Sequence, residues 1–316
     1  MAIRTFRNSD PPRLARLWNA QSAPASRAPE ISARLLDETV LAKLYFDPRG
    51  LFVAERDGHV AGFAHAGFGP NAEGSALDKT RGCLSALVIE PRPDEREMAA
   101  ELVAAALDYL RTQGAETAVA GGPGPVDPFY LGLYGGSASD GLPADDERAT
   151  NWLVEAGFQE SARRAVLQLK LATYRPPVER AMTGWQRSSL VERSLDLASR
   201  SWFDAATLGQ QERWIFRLTQ RPPASRKGRV EWWGIQPLAD RKNERMAGWL
   251  GSTLDSAAWT DGLAKFLIAD SLRRLKESGC VIAEAQVGDD EPAVRAIFDS
   301  LGFKVVTEKR VLMRRL

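Results

Sequence analysis

The N-terminal residues Ala2 to Arg7 alternate apolar and polar side chains as a half-buried strand does, and Ser9-Asp10-Pro11-Pro12 supplies a cap and first-turn prolines for a helix over 11–20. A Pro/Ser/Ala-rich linker at 21–30 leads to a second helical stretch over 31–46, which stops at Pro48-Arg49-Gly50. Leu51 to Arg56 and His59 to Phe68 read as strands joined by Asp57-Gly58, a strong short-range hairpin signal. Cys83 to Glu90 is a further strand, ended by Pro91. An acidic turn then opens a long helix whose apolar residues Met98, Leu102, Ala106 and Leu110 recur at helical spacing as far as Gly114. A short strand at 117–120, a helix over 146–155 closed by Gly157 and an alternating stretch at 160–171 follow.

The second half of the chain ends as the first does. A helix over 263–278 is closed by Gly279, Val281 to Val287 is a strand, a helix covers 292–301, and Gly302-Phe303 leads into a last strand. Helix, strand, helix, Gly-Phe, strand thus occurs twice. Two prolines in Thr173 to Pro177 separate the halves, with a helix expected over 190–202 beyond them, so the pattern predicts domains at 1–172 and 178–316. A length of 316 residues gives each a core of its own.

Composition narrows the function classes. With 42 basic and 41 acidic residues the net charge is +1, so no global field recommends nucleic acid or an anionic membrane as partner. No apolar run approaches the ~18 residues of a membrane span. Cys83 and Cys280 are the two cysteines, which excludes a disulfide framework, and the N-terminus lacks a signal-peptide core; a cytoplasmic location is expected. His59 and His65 are the only histidines, so a multi-histidine metal centre is not expected. Seven of the nine tryptophans follow the boundary, which reads as a large-residue core or interdomain face, or as an aromatic ligand pocket.

The order of elements, with LFVAERDGHVAGFAHAG as the hairpin, LSALVIEP as the central strand and NWLVEAGF as last helix and terminator, resembles the GNAT family of acyl-CoA-dependent N-acyltransferases. TDGLAKFLIADSLRRLKESGC and AVRAIFDSLGF carry the same resemblance in the second half, giving a tandem pair similar to the arrangement in mycothiol synthase. The resemblance implies an α+β fold of two GNAT-like domains, each a mixed, mostly antiparallel sheet flanked by helices. It also implies acetyl-CoA or another acyl-CoA as cofactor and a small-molecule or peptide amine as acceptor. The alternative is a GNAT-fold protein that binds ligands or acts as a scaffold without acyl transfer.

The family loop Arg/Gln-x-x-Gly-x-Gly/Ala places coenzyme pyrophosphate on the free amides of a helix N-terminus. In the first half it aligns with Asp94, Arg96, Glu97, Met98 and Ala99, after Ile89 at the end of the central strand. Glu97 replaces the first glycine there. In the second half it aligns with Trp259, Thr260, Asp261, Gly262, Leu263 and Ala264, keeping Gly-x-Ala, so cofactor binding is expected at Gly262, Leu263 and Ala264. Many family members protonate the leaving thiolate with a Tyr four residues before the terminator glycine; those positions are Leu153 and Phe298 here. Candidate proton carriers are therefore Tyr130 and Tyr134 as acids and Glu90, at the end of the central strand, as base. Both tyrosines lie in a Gly/Pro-rich insertion at 121–145 that makes the first half about twenty residues longer than the second in this region, and that is expected to form a lid over the first cleft.

Overall fold

The computed structural model describes residues 1–20, 30–121, 127–134, 137, 141–194, 199, 201–235 and 244–316. The first half contains β1 (Ala2–Thr5), α1 (Pro11–Ala20), α2 (Ala33–Leu36), β2 (Leu51–Arg56), β3 (His59–Pro70), β4 (Leu77–Ile89), α3 (Glu95–Thr112), β5 (Thr117–Ala120), β6 (Leu142–Pro143), α4 (Glu147–Glu155) and β7 (Gln159–Lys170). The second contains α5 (Arg180–Ser188), β8 (Ser189–Ser194), α6 (Trp202–Leu208), β9 (Arg213–Gln220), β10 (Lys227–Gly234), β11 (Met246–Thr253), α7 (Leu263–Glu277), β12 (Ile282–Gly288), α8 (Pro292–Ser300) and β13 (Lys304–Arg315).

Local chemistry accounts for most element ends. Asp57 and Gly58 both have positive φ, as a two-residue type I′ hairpin turn requires, and they join β2 to β3. The buried Asp10 carboxylate accepts from the Arg7 amide at 2.7 Å and from Arg4 through two 2.8 Å bonds, fixing the chain entering α1. Two expectations fail. The stretch 31–46 is α-helical only over α2 and continues as a π-helical turn at Asp37–Leu41. Of the helix expected over 190–202, 190–194 instead belong to β8, which pairs along the sheet edge with β9 and buries Ser189 and Val191 alternately; 195–198 and 200 lie outside the described residues, and Trp202 opens α6. Edge pairing and alternate burial outweigh the helical propensity of that short segment.

A single sheet runs through both halves in the order β1-β2-β3-β4-β5-β13-β7-β12-β11-β10-β9-β8, with β6 added against β13. Along this order β4–β5 and β11–β12 are parallel and every other pair is antiparallel. The final strands of the two halves are exchanged. β13 lies against β5, with Leu312 opposite Ala120, while β7 lies against β12, with Leu167 opposite Ala285. β13 and β7 also pair with each other, so the two halves share a sheet across their junction.

Three cores cover the sheet. α3 and α4 pack on the first half through Met98, Leu102, Leu110 and Leu153. α7 and α8 pack on the second through Leu267, Leu272 and Phe298, together with Trp214 and Trp232. On the opposite face, Leu14 and Trp18 of α1, Phe129 to Tyr134 of the insertion, and Phe203, Trp233 and Met246 of the second half form one core that spans both halves. Of the tryptophans after the boundary, Trp214 and Trp232 belong to the second half's core, with Trp185, Trp249 and Trp259 packed against it, Trp233 belongs to the shared face, and Trp202 is exposed.

A protease site placed after Val178, which is 95% exposed, tests the exchange. The cut fragments are expected to co-elute on size exclusion and to separate only in denaturant, because each completes the other's sheet. Two folded halves released without denaturant would contradict it.

Candidate active site

In each half the parallel strand pair opens like a V. β4 and β5 pair as far as Leu84 and Ala120, and β4 then runs on to Ile89. β11 and β12 pair as far as Gly248 and Glu284, and β11 runs on to Thr253. Both longer strands are bulged just beyond this point: the β3–β4 register jumps at Ser85 and the β10–β11 register jumps at Leu250. A bulge bends the strand and leaves backbone groups out of the ladder beside the opening.

The insertion fills the first opening. Ser85, Gly121, Asp127, Phe129 and Tyr134 are among the residues around a cavity of only about 10 Å³, at the threshold for a single water. Ser85 Oγ donates to Asp127 Oδ1 at 2.8 Å, and the Phe129 amide donates to the same oxygen at 3.2 Å. Tyr130 stacks on Trp18 with ring centroids 5.8 Å apart, and Tyr134 meets the same indole edge-on at 5.2 Å. His65 is fully buried beneath them, 4.5 Å from the Phe129 ring, and neither ring nitrogen has a hydrogen-bond partner among the described residues. Burial drives its pKa down to about 3.

The same insertion reaches the second opening. Arg213, Trp233, Gly248, Glu284 and Gln168 stand in register across β9, β10, β11, β12 and β7, forming one row over the point where β11 and β12 part. Ser137 lies on that row. Its amide donates to Glu284 Oε1 at 2.7 Å, and its carbonyl accepts from Trp233 Nε1 at 2.9 Å. Gly248 allows this approach, because a Cβ there would stand 2.7 Å from Ser137 Cβ and 2.8 Å from Trp233 Nε1. Glu284 is 1% exposed; burial holds its carboxyl above the usual range, opposed by the hydrogen bond from Gln168 Nε2 at 2.7 Å and by the charge of Lys309.

The two helix N-termini beyond the openings differ in charge. α3 carries Glu95 and Glu97 in its first turn and Asp94 at its cap; Asp94 pairs with Arg56 and Arg92, and Glu95 with Arg148. α7 has no acid in its first turn and starts at Gly262, whose φ of +88° is left-handed. Asp261, just before it, accepts from the Leu263 amide at 3.0 Å and pairs with Arg226, which also pairs with Asp255. Lys265 Nζ lies 2.5 Å from Glu179, and Trp185 Nε1 donates to the Asp261 carbonyl at 3.1 Å.

Residues 14–123 match the model of the acetyltransferase (GNAT) family. By this match the first half of the chain is similar to the GNAT family. The GNAT fold extends through the second half as well. The whole chain is similar to the glucosamine N-acetyltransferase region of a fungal multi-domain GH3 β-N-acetylglucosaminidase (TM-score 0.72, 15% identity), covering 99% of this chain and 38% of that one. It is also similar to a GCN5-related N-acetyltransferase from Sphaerobacter thermophilus (TM-score 0.66, 13% identity, 99% and 95% covered). A tandem GNAT protein from the clavulanic acid biosynthesis pathway gives a TM-score of 0.63 at 14% identity, with 99% and 98% covered. At these identities the likeness is one of fold. No curated protein matches the sequence.

Within this tandem GNAT frame, the residues expected at the site are spread over three places. Tyr130 and Tyr134 are buried in the shared core, whereas Glu90 is exposed before α3 and pairs with Arg92 at 3.4 Å. Ile89, Met98 and Ala99 are buried under α3, and Arg96 pairs on the surface with Glu155. Thr260, Asp261, Gly262, Leu263 and Ala264 do form one continuous helix start, with Leu263 and Ala264 buried. Leu153 and Phe298, at the family's acid positions, are core residues. Of the insertion, 122–126, 135–136 and 138–140 lie outside the described residues; the described part lines the first opening and, through Ser137, also meets the second. Sequence reasoning missed Asp127, Ser137, Trp233, Gly248 and Glu284. Glu284 and Gln286 alternate with Ala283, Ala285 and Val287, a polar face on a strand otherwise apolar enough to be buried on both sides, and that was the available signal.

Gly248→Val is expected to lower stability by about 1–3 kcal/mol through overpacking against Ser137 and Trp233, read as a drop in urea midpoint at constant m. His65 supplies a pH test. Its folded pKa lies below the unfolded 6.5, so the folded state resists protonation. Stability is expected to fall as pH drops from 6.5 toward 3, and His65→Leu should flatten that part of the Tm–pH curve.

Proposed function

We propose that the protein transfers an acetyl-type group from acyl-CoA to a small-molecule or peptide amine, with the coenzyme held by the second half. The observation that carries this reading is the start of α7. There a left-handed glycine opens a helix with no acid in its first turn, directly after a bulged and splayed strand pair. The amides of Leu263 and Ala264 suit pyrophosphate, and Arg226 and Lys265 add positive charge beside them. The carboxylate of Asp261 on the Leu263 amide is an anion standing where a phosphate oxygen would stand, and Arg226 offers it another resting place. The Gly262 start and neighbouring cations fit the group better than α3, whose first turn carries Glu95 and Glu97.

Bound acyl-CoA supplies an activated thioester, so little further chemistry falls to the chain. Backbone amides of β11 beyond Gly248 are placed to polarise a carbonyl in the opening. Glu284, desolvated and hydrogen-bonded at the root of that opening, is the group we assign to proton handling, in place of the exposed Glu90. Tyr130 and Tyr134, packed at the first opening, stand outside this site.

A second reading, ligand binding without transfer, is favoured by Leu153 and Phe298 at the family's acid positions. One titration separates the outcomes. Acetyl-CoA at a hundred times its Kd is expected to add about 2.7 kcal/mol of apparent stability, seen as a rise of Tm, and Gly262→Glu should remove the rise while Glu97→Ala leaves it. Coenzyme-dependent stabilisation without thiol release on any amine would support the second reading. A Gly262→Glu variant that titrates like the wild type would overturn the placement.

A further inference from the structure

On the shared face, beside the row that crosses the second opening, lies an open crevice of about 180 Å³. Glu38, Thr39 and Lys43 enter it from the turn after α2, Gln210 and Gln211 from the end of α6, and Trp233 from β10. Each half therefore supplies part of its wall. Trp233 stands opposite Gly248 in the β10–β11 ladder, and its indole N–H holds the Ser137 carbonyl. Trp233 thus both lines the crevice and stands in the row that borders the strand opening.

The lining is unusual in its charge. Lys43 is half-buried, donates one hydrogen bond from Nζ to the Ala206 carbonyl at 2.8 Å, and lies within the field of Glu38. An ammonium carries three donors, so Lys43 retains capacity to bind an anion while remaining tethered. Glu38 takes the Arg34 guanidinium on Oε1 at 2.7 Å, which leaves Oε2 for a cation. A carboxylate and an ammonium on one wall, with hydroxyl and carboxamide groups around them, match a molecule bearing both charges.

We propose that this crevice binds the acceptor by its zwitterionic head, and that the acceptor is a small α,ω-diamino acid whose second amine points to the β11–β12 opening. This rests on the acyltransfer reading above. Lys43 takes the α-carboxylate and Glu38 the α-ammonium. An amine held as ammonium against Glu38 is no nucleophile, so the reacting nitrogen lies at the other end of the molecule, past Trp233. Size agrees: a crevice of about 180 Å³ has room for the head of a small amino acid.

Calorimetric titration without coenzyme tests the head group directly. L-Lysine and L-ornithine are expected to bind saturably, with 1,5-diaminopentane, which lacks the carboxylate, and 6-aminohexanoate, which lacks the α-ammonium, each weaker by about tenfold or more. Glu38→Gln should erase the advantage of lysine over 6-aminohexanoate but keep that over 1,5-diaminopentane; Lys43→Met should do the reverse. Glu38 is exposed, so its variant folds even if Lys43→Met loosens α6. Absence of saturable binding by both diamino acids, or a Glu38→Gln variant that discriminates as the wild type does, would overturn the proposal. Acetyl-CoA stabilisation measured on the same samples keeps the two readings apart: stabilisation without diamino acid binding removes this proposal alone, and its absence removes the acyltransfer reading.

Discussion

Everything central in this protein depends on β13 lying between β5 and β7. That one placement joins two half-sheets by hydrogen bonds rather than by side-chain contacts alone, and it moves β7 to the side of β12. Gln168, which steadies Glu284 in the second opening, is consequently a residue of the first half. The second site would lose a wall and a hydrogen bond if the halves kept their own last strands. An interface of packed side chains permits hinge motion by default, whereas a shared ladder resists it, because any rotation would break a row of backbone bonds at once.

The insertion adds a second tie on the opposite face. Its aromatic residues close the first opening against Trp18 and His65, while Ser137 bonds to Trp233 and Glu284 in the second. Two strand openings of similar geometry thus receive different treatment. One is packed nearly solid beside a helix start crowded with carboxylates; the other is bordered by a polar row and a helix start flanked by cations. The first opening is thereby part of a packed core, whereas the second keeps polar groups at its border.

Much of the frame was legible because local chemistry specified it. Asp57-Gly58 forces the hairpin, Pro11 and Pro12 set the first helix, and Gly157, Gly279 and Gly302 end helices where expected. The exchange of β7 and β13 was not legible, since both strands alternate alike and either could satisfy either edge; only long-range pairing decides between them. Leu190 and Val191 misled in the other direction, as a short apolar run reads equally as helix or edge strand. The helix start at Thr260 to Ala264 was legible through its likeness to the family loop. Glu284 and Ser137 were not, because their significance arises from a register across five strands and from a loop that crosses between halves.

Exchange also sets a problem of timing during synthesis. β7 and β13 are each twelve residues long, and β7 emerges from the ribosome with β5 already made and β12 still to come. Its nearest available edge is the one it must finally leave to β13. A nascent chain therefore has two berths for the same strand, a local one reached quickly and a distant one that exists only once β12 has been made. Because the native berth for β7 requires β12, and the native neighbour of β5 is β13, which is made later than both, these strands of the sheet close at its centre after its edges.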